Sequence, residues 1–261
     1  MTRSQLILVL GAAALVVVLF QLPRSVVENE QLQEVGGPES HSMEIPQEVE
    51  TQINELRRLI EEEENIDKKA NFAHSLARRY LDYGIVDSAA RYAEAIQRWK
   101  ETPSELAADI YFTAYERSPG PEQAKEYAVK ARGILQSLLD KDPTNLVLKN
   151  RLAMTLVVSE NPMAGVAMLR EILAQDETNR QAILNLGLLA IQSGQFERAK
   201  ERFENLISLN PADNEAKLYL AVSMIEINQQ SQARLLLEEI LASQDSIPAI
   251  KMMASDYLEG L

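Results

Sequence analysis

Few residues in this chain could carry out chemistry. Its 261 residues include two histidines and no cysteine, which excludes a disulfide, a thiolate metal site and a cysteine nucleophile. His41 and His74 lie far apart in the sequence, and an isolated histidine makes neither a catalytic nor a metal site. His74, close to Arg78, is predicted to lie on a helix surface or in a groove. The sequence therefore predicts a protein that is not an enzyme and that holds no metal or cofactor.

The charge of the chain is strongly negative and unevenly distributed. The formal net charge is −13 at pH 7, and residues 25–64 contain twelve acidic residues against two arginines, a net of −10. Nucleic acid is not expected as a partner, because phosphate binding requires a basic surface. The acidic stretch is interpreted as a solvated spacer that anionic lipid repels, or alternatively as a docking strip for a basic partner.

Residues of the same type recur at intervals of 34 positions in the second half of the chain. Small residues recur at two places in each unit: Gly187 aligns with Ala153 and Ala221, and Ala199 with Gly165 and Ala233. Large apolar residues recur at three others: Leu186 aligns with Leu152 and Leu220, Phe203 with Leu169 and Leu237, and Leu206 with Ile172 and Ile240. A fixed period of this length is the signature of a solenoid built from stacked helical repeats.

The pattern defines a series of repeat units. They occupy residues 70–103, 104–145, 146–179, 180–213 and 214–247. The second unit is longer than the others, and its additional length is expected in a helix extended around the turn at 118–121. Small residues let the two helices of a hairpin approach closely, and the hairpins must stack because one alone cannot bury its apolar face.

This spacing resembles the tetratricopeptide repeat, a helix–turn–helix unit with the same period. The family's terminal proline is present only as Pro143 and Pro211, and Ile183 stands where the family has a tryptophan. The resemblance implies an all-α, right-handed helical solenoid over residues 67–261, with about five repeats and a capping helix at 248–261. Members of this family bind other proteins without catalysis, so protein binding is the function that the resemblance implies.

An apolar segment precedes the acidic stretch. Leu6 to Leu22 contains no charged residue, and a helix of that length spans roughly 25 Å, at the short end for a hydrocarbon core of about 30 Å. A cleaved secretory signal is the competing interpretation, but it usually ends at a small-residue cleavage site, and Gln21–Leu22–Pro23 is a poor one. Residues 1–5 are therefore predicted to flank a single uncleaved transmembrane anchor at residues 6–22.

The orientation of this anchor depends on a small difference in positive charge. Arg3 and the amino terminus lie on one side, and Arg24, followed by Glu28 and Glu30, lies on the other. Because positive residues favour the cytoplasmic side, we expect a single-pass protein of the inner (cytoplasmic) membrane with its N terminus inside. The repeats are then expected in the periplasm.

Two further segments connect the anchor with the repeats. Residues 23–45 include Gly36–Gly37–Pro38 and are predicted to be a flexible acidic linker. Residues 46–66 are predicted to form an amphipathic helix with one apolar face, made of Val49, Ile53, Leu56 and Ile60. That face is expected to cap the first repeat, and the alternative is a coiled-coil contact with a second copy of the chain.

The resemblance also implies a binding groove lined by the first helix of each repeat. Carried onto this sequence, its apolar positions are Met154, Val157, Val158, Leu184, Leu188, Ile191, Leu218, Val222 and Ile225. No lysine or arginine occurs at the groove positions of these repeats, which disfavours recognition of a charged tail. These residues are expected to form an apolar strip for apolar or amphipathic segments of partner proteins, or alternatively to belong to the ordinary core.

Two kinds of protein fit these expectations. The first is a membrane-anchored adaptor or scaffold that holds client segments near the membrane, similar to anchored repeat proteins of secretion or of cytochrome c biogenesis. The second is a permanent structural subunit of a cell-envelope complex, with its solenoid packed against other subunits. An adaptor is expected to bind partners weakly and exchangeably, whereas a subunit is expected to co-purify with them in fixed proportion.

Overall fold

Helices make up the regular structure of residues 45–261, the part of the chain that the computed structural model describes. In chain order they are α1 Gln47–Glu62, α2 Ile66–Asp82, α3 Val86–Lys100, α4 Glu105–Arg117, α5 Pro121–Leu139, α6 Leu146–Val157, α7 Pro162–Gln175, α8 Arg180–Gln192, α9 Phe196–Leu209, α10 Asn214–Glu226, α11 Gln230–Ala242 and α12 Pro248–Glu259. No strand occurs between Ile45 and Leu261. This confirms the expected all-α class for the described part.

The expected membrane anchor falls outside the described residues. The flank at 1–5, the anchor at 6–22 and the linker at 23–45, apart from Ile45, are not among them. Within the described range, every helix is too short or too polar to cross a bilayer.

The helices pair into hairpins that stack in chain order. The pairs α2–α3, α4–α5, α6–α7, α8–α9 and α10–α11 pack internally, and each second helix also contacts the first helix of the next hairpin. The first helices α2 and α4, α6 and α8, and α8 and α10 also contact one another, and α12 packs on α11 and α10. This arrangement is the helical solenoid that the repeated sequence pattern predicts.

Helix α1 covers the N-terminal end of the stack. It packs on α2, with Ile53 and Ile60 buried and Val49 and Leu56 packed against the core. These four residues recur on one face of the helix. The apolar face that the sequence assigns to capping therefore lies against the first hairpin.

Glycine occupies the closest helix–helix contacts. A Cβ atom at Gly187 in α8 would lie 2.6 Å from Phe203 Cζ in α9, and one at Gly165 in α7 would meet the backbone carbonyl of Ala153 in α6. Real Cβ atoms do not approach other atoms so closely, so any larger residue there forces the two helices apart. The recurring small residues thus set the spacing within these hairpins.

The starts of the last three first helices carry the same cap. Asn145, Asn179 and Asp213 occupy equivalent positions of successive repeats, and each side chain accepts a hydrogen bond from a backbone N–H in the first turn. Such caps satisfy amide groups that have no partner within the helix. The repeated pattern therefore includes a polar capping residue at the start of each of these units, in addition to the small and apolar residues.

The additional length of the second unit lies in its second helix. Helix α5 has 19 residues, whereas α7 and α9 have 14 each. Pro121 occupies the first turn of α5, where its missing N–H costs nothing because that position has no intrahelical acceptor. The turn at 118–121 therefore begins the extended helix.

Candidate protein-binding cleft

A cleft of about 540 Å³ lies between the first helices of the first four hairpins. We call it the first-helix cleft. Polar and charged residues dominate its walls, which are formed by Arg78, Asp109, Phe112, Thr113, Glu116, Val147, Asn150, Arg151, Asn179, Arg180, Gln181 and Asn185. Because the cleft is formed by α2, α4, α6 and α8, its shape depends on the stacking of successive hairpins.

A single carboxylate organises one wall of the cleft. Asp109 on α4 lies 2.7 Å from Arg151 on α6 and 3.5 Å from Arg78 on α2. Its other contact is His74 Nε2, at 2.8 Å. Burial alone would raise the pKa of Asp109, but the hydrogen bond with His74 and the charges of the two arginines outweigh it, so the pKa lies below its ordinary value. The network joins three successive first helices.

One carboxylate joins His74 to two arginines in this network. A histidine next to an aspartate can serve as a general base, but here two arginines share the carboxylate. Between Ile45 and Leu261, no group of three or more histidine or acidic side chains is placed to hold a metal ion. His74 thus lies beside the cleft as part of an ion-pair network.

Asn150 on α6 supplies an acceptor that has no partner among residues 45–261. The residue is only 4% exposed, and its Nδ2 donates to the backbone oxygen of Leu146 and to Asn179 Oδ1, both at 3.2 Å. Both partners are acceptors, which fixes the amide orientation and leaves Oδ1 as the unpartnered atom. An unsatisfied buried acceptor costs about 1–3 kcal/mol.

The opposite wall carries a fixed ion pair. Arg180 at the start of α8 contacts Asp213 through two hydrogen bonds of 2.7 and 2.9 Å, and Glu215 through one of 2.7 Å. These bonds raise the pKa of Arg180 above its usual value. Gln181 Nε2 donates to Asn185 Oδ1 at 3.1 Å. This wall therefore offers donors and acceptors in fixed positions.

The pKa of Asp213 predicts a loss of stability in acid. Burial raises this pKa, but the hydrogen bonds from Arg180 and the backbone N–H of Ala216 lower it further, so its folded value lies below the ordinary one. The stabilisation is complete above the unfolded pKa of about 3.9 and is lost as pH falls through the folded value. We expect the free energy of unfolding, measured with urea, to fall between pH 5 and pH 3.

The variant Asp213→Asn provides the control for this prediction. Asparagine caps the equivalent helices at Asn145 and Asn179, so the variant keeps the cap and loses only the titrating carboxylate. Its stability at pH 7 should be lower and its fall in acid smaller. An equal fall in both proteins would contradict the assignment.

The structure corrects part of the expected apolar strip. Leu184 is 3% exposed and Leu218 is fully buried, so neither can contact a ligand while the core is closed. The neighbouring first helices cover them, since α8 packs between α6 and α10, and α10 packs on α12. The expectation of exposed apolar residues at these two positions is wrong.

The other predicted groove residues do not line the first-helix cleft. They are half-buried: Met154, Val157, Val158, Leu188, Ile191, Val222 and Ile225. Met154, Leu188 and Ile225 pack against core clusters, and Val157 faces a different cleft between α7 and α9. A role of these residues in binding stays a prediction.

Sequence reasoning missed the charged residues of the cleft. Arg78, Asp109 and Arg151 line it, whereas the groove positions taken from the sequence were confined to the last three repeats and included none of these residues. His74 and Asp109 lie 35 residues apart, one more than the regular step of 34. Asp109 and Arg151 lie 42 residues apart, which is the step across the longer repeat.

Comparisons with known proteins agree with this architecture. Residues 190–256 match the family model of the tetratricopeptide repeat. A tetratricopeptide repeat protein of Parabacteroides merdae has a similar structure, with a TM-score of 0.56, 15% identity, and 81% of this chain and 82% of that one covered. A thermophilic one of Thermus thermophilus gives a TM-score of 0.53, 16% identity, and coverage of 68% and 91%. Among curated protein sequences, none matches this chain.

The fold and these matches define the class of the described part. Residues 45–261 form a helical solenoid of the tetratricopeptide type, and residues 190–256 carry the sequence signature of that repeat. Solenoids of this class are generally scaffolds that mediate protein–protein interactions. Identities near 15% establish the fold and leave the partner to be inferred from the clefts of this chain.

Proposed function

We propose that this protein is a non-catalytic, membrane-anchored adaptor whose first-helix cleft binds an extended polypeptide segment. The observation that carries the proposal is a cleft lined by polar groups that hydrogen bonds and ion pairs hold in fixed positions. A polypeptide backbone presents N–H donors and carbonyl acceptors at regular spacing. It can therefore bond to exposed polar groups of the cleft such as Gln181.

The lining of the cleft indicates what the bound segment carries. Asp109 is shared by Arg78 and Arg151, and Glu116 lines the same wall, so two carboxylates balance the two arginines there. Val147, 65% exposed, offers an apolar contact at the rim. A segment with one apolar side chain among polar ones fits this arrangement better than the wholly apolar client expected from the sequence.

The cellular location that we propose rests on the N-terminal sequence. Residues 6–22 anchor the chain in the inner membrane with the N terminus inside, and residues 45–261 then project into the periplasm. Protease added to spheroplasts should degrade the solenoid, while intact cells protect it. Protection in spheroplasts that ends only on lysis would reverse the orientation. A role in secretion or in cytochrome c biogenesis requires the periplasmic orientation.

A permanent structural subunit is the second candidate, favoured by apolar side chains near the C terminus. Four of them are exposed in α11, in the following turn and in α12: Leu235, Ile247, Met252 and Tyr257. Exposed apolar surface of this kind is often covered by another subunit. Such a subunit would co-purify in fixed proportion, whereas an adaptor exchanges its partners.

A paired substitution in the cleft tests the adaptor. Val147→Asp with Gln181→Asp changes two exposed residues of the cleft wall, so the fold should be kept while an apolar contact and an amide are replaced by two carboxylates that a bound segment would have to desolvate. Partner recovered from membranes by the tagged full-length protein, measured by quantitative mass spectrometry, should fall at least tenfold, about 1.4 kcal/mol.

A matched pair outside the cleft serves as the control. Val129→Asp with Gln232→Asp makes the same exchanges at exposed positions of α5 and α11. This variant should recover as much partner as the unchanged protein. Equal losses in the two variants would mean that added negative charge acts anywhere on the surface, and the cleft would not be the binding site.

A further inference from the structure

A second cleft, of about 860 Å³, opens between the second helices of the third and fourth hairpins. We call it the arginine cleft. Residues of α7 and α9 form its walls, and apolar residues of α8 lie at its floor. Its lining includes Met163, Val166, Leu189, Arg170, Arg198 and Arg202. None of these residues lines the first-helix cleft, so the two sites are separate.

One exchange in the repeat pattern lies at this cleft. Arg202 on α9 corresponds, one repeat period away on each side, to Met168 and Leu236. Met168 packs against the core clusters around the third hairpin, and Leu236 packs against the core of the last two hairpins. An arginine cannot fill this apolar position without burying its charge. Arg202 therefore lines an open cleft, where its equivalents in the neighbouring repeats pack against apolar cores.

The charge of the cleft is opposite to that of the protein. Three arginines and one acidic residue, Glu201, line it, in a chain with a net charge of −13. Arg170, Arg198 and Arg202 form no ion pair with another residue between Ile45 and Leu261. Partial burial and the nearby charge of Arg170 lower the pKa of Arg202. The charge of Glu201 offsets part of the repulsion among the three cations, and the cleft keeps an excess of positive charge.

The arginines are particular to this junction. At the next one, the positions equivalent to Arg170 and Arg198 hold Glu204 and Gln232. Stacking of hairpins does not require positive residues there, since the next two hairpins stack without them. Excess positive charge reduces the stability of the folded state, so these residues are better explained by a ligand that neutralises them.

We infer that the arginine cleft docks an acidic amphipathic segment of a partner protein. Its carboxylates would pair with Arg170, Arg198 and Arg202, and an apolar side chain would contact Val166 on one wall and Leu189 on the floor. Guanidinium groups bind carboxylates through two parallel hydrogen bonds, and grooves between helices commonly receive the apolar face of such segments. Anionic lipid fits less well, because the acidic protein around the cleft would be repelled from that surface.

A synthetic peptide tests this inference directly. The probe is a fluorescent 16-residue helical peptide with a leucine stripe flanked by glutamates, and its partner probe has every glutamate replaced by lysine. Binding to the full-length protein in neutral-lipid nanodiscs is followed by anisotropy. The acidic peptide should bind and the lysine peptide should not. Arg170→Gln with Arg202→Gln should weaken binding at least tenfold, as should raising the salt from 50 to 300 mM.

Three variants test whether peptide binding depends on the arginine cleft alone. Arg79→Gln with Arg234→Gln removes two exposed arginines outside both clefts and should leave binding unchanged. Arg202→Leu restores the apolar residue of the neighbouring repeats, so it should abolish binding without lowering the melting temperature. Val147→Asp with Gln181→Asp should also leave peptide binding unchanged, which keeps this inference independent of the first-helix cleft.

Other outcomes would overturn the inference. Equal binding of the lysine peptide, or equal weakening in the Arg79 and Arg234 control, would mean that the three arginines are not the site. Arginine-dependent binding of anionic vesicles without binding of the acidic peptide would assign the cleft to lipid. Self-association that Arg202→Leu abolishes, seen by sedimentation without peptide binding, would assign it to a second copy of this chain.

Discussion

Replacing Gly165 or Gly187 with leucine is expected to lower the free energy of unfolding by about 1–3 kcal/mol or more. At Gly187 a new Cβ would lie 2.6 Å from the ring of Phe203, which is fully buried. At Gly165 it would meet the backbone carbonyl of Ala153, which moves less readily than a side chain. The loss should therefore be greater at Gly165. Urea denaturation followed by far-UV circular dichroism measures both.

Gly133 provides the matched control for these substitutions. It lies within helix α5, and a Cβ there would meet nothing within 4 Å. Gly133→Ala should therefore raise the stability by about 0.5–1 kcal/mol, the difference in helix propensity between the two residues. If leucine at Gly165 or Gly187 proved as harmless as alanine at Gly133, the close helix contacts described above would be wrong.

Placing aspartate at Leu218 is expected to unfold the domain or to destabilise it by more than about 4 kcal/mol. Leu218 is fully buried in the core of the last two hairpins, and a carboxylate there would have neither water nor a cation nearby. The comparison is Val147→Asp, the same kind of exchange on another first helix, at a side chain that is 65% exposed. Its effect should stay within about 0.5 kcal/mol.

A folded Leu218→Asp protein with nearly unchanged stability would show that the apolar strip is exposed to solvent. The strip would then be open to ligands, and the correction made from the burial of Leu184 and Leu218 would fail. Thermal melts of the two variants, recorded under the same conditions, decide between these outcomes. Loss of the transition in the Leu218 variant alone is the expected result.

The hairpins could be predicted from the sequence because their contacts are local. Gly187 and Phe203 contact each other within one repeat, so a small residue and a large one are required at a fixed interval. The same pattern recurs in each successive repeat. The capping role of the first amphipathic helix followed in the same way, from the spacing of Ile53 and Ile60. Patterns of this kind depend on helix geometry alone.

The clefts could not be predicted because they depend on how successive hairpins stack. Leu184 and Leu218 occupy family groove positions, yet the neighbouring first helices cover both. The ion-pair network joins Asp109 to Arg151 across 42 residues. Because the long helix α5 lies between them, this interval differs from the period of 34 residues, and comparing residues at that period does not pair the two. An unpartnered oxygen such as that of Asn150 has no sequence signal at all.

Site-specific photo-crosslinking tests the central claim most directly. A benzophenone amino acid is placed at Gln181, an exposed residue of the first-helix cleft, or at Gln232, an exposed residue of α11 outside both clefts. The full-length protein is irradiated in native membranes, and adducts are identified by mass spectrometry. If the cleft binds polypeptide segments, Gln181 gives adducts with a small set of partner chains and Gln232 gives none. Adducts of equal yield at the two positions, or none at Gln181, would contradict the adaptor function proposed for this cleft.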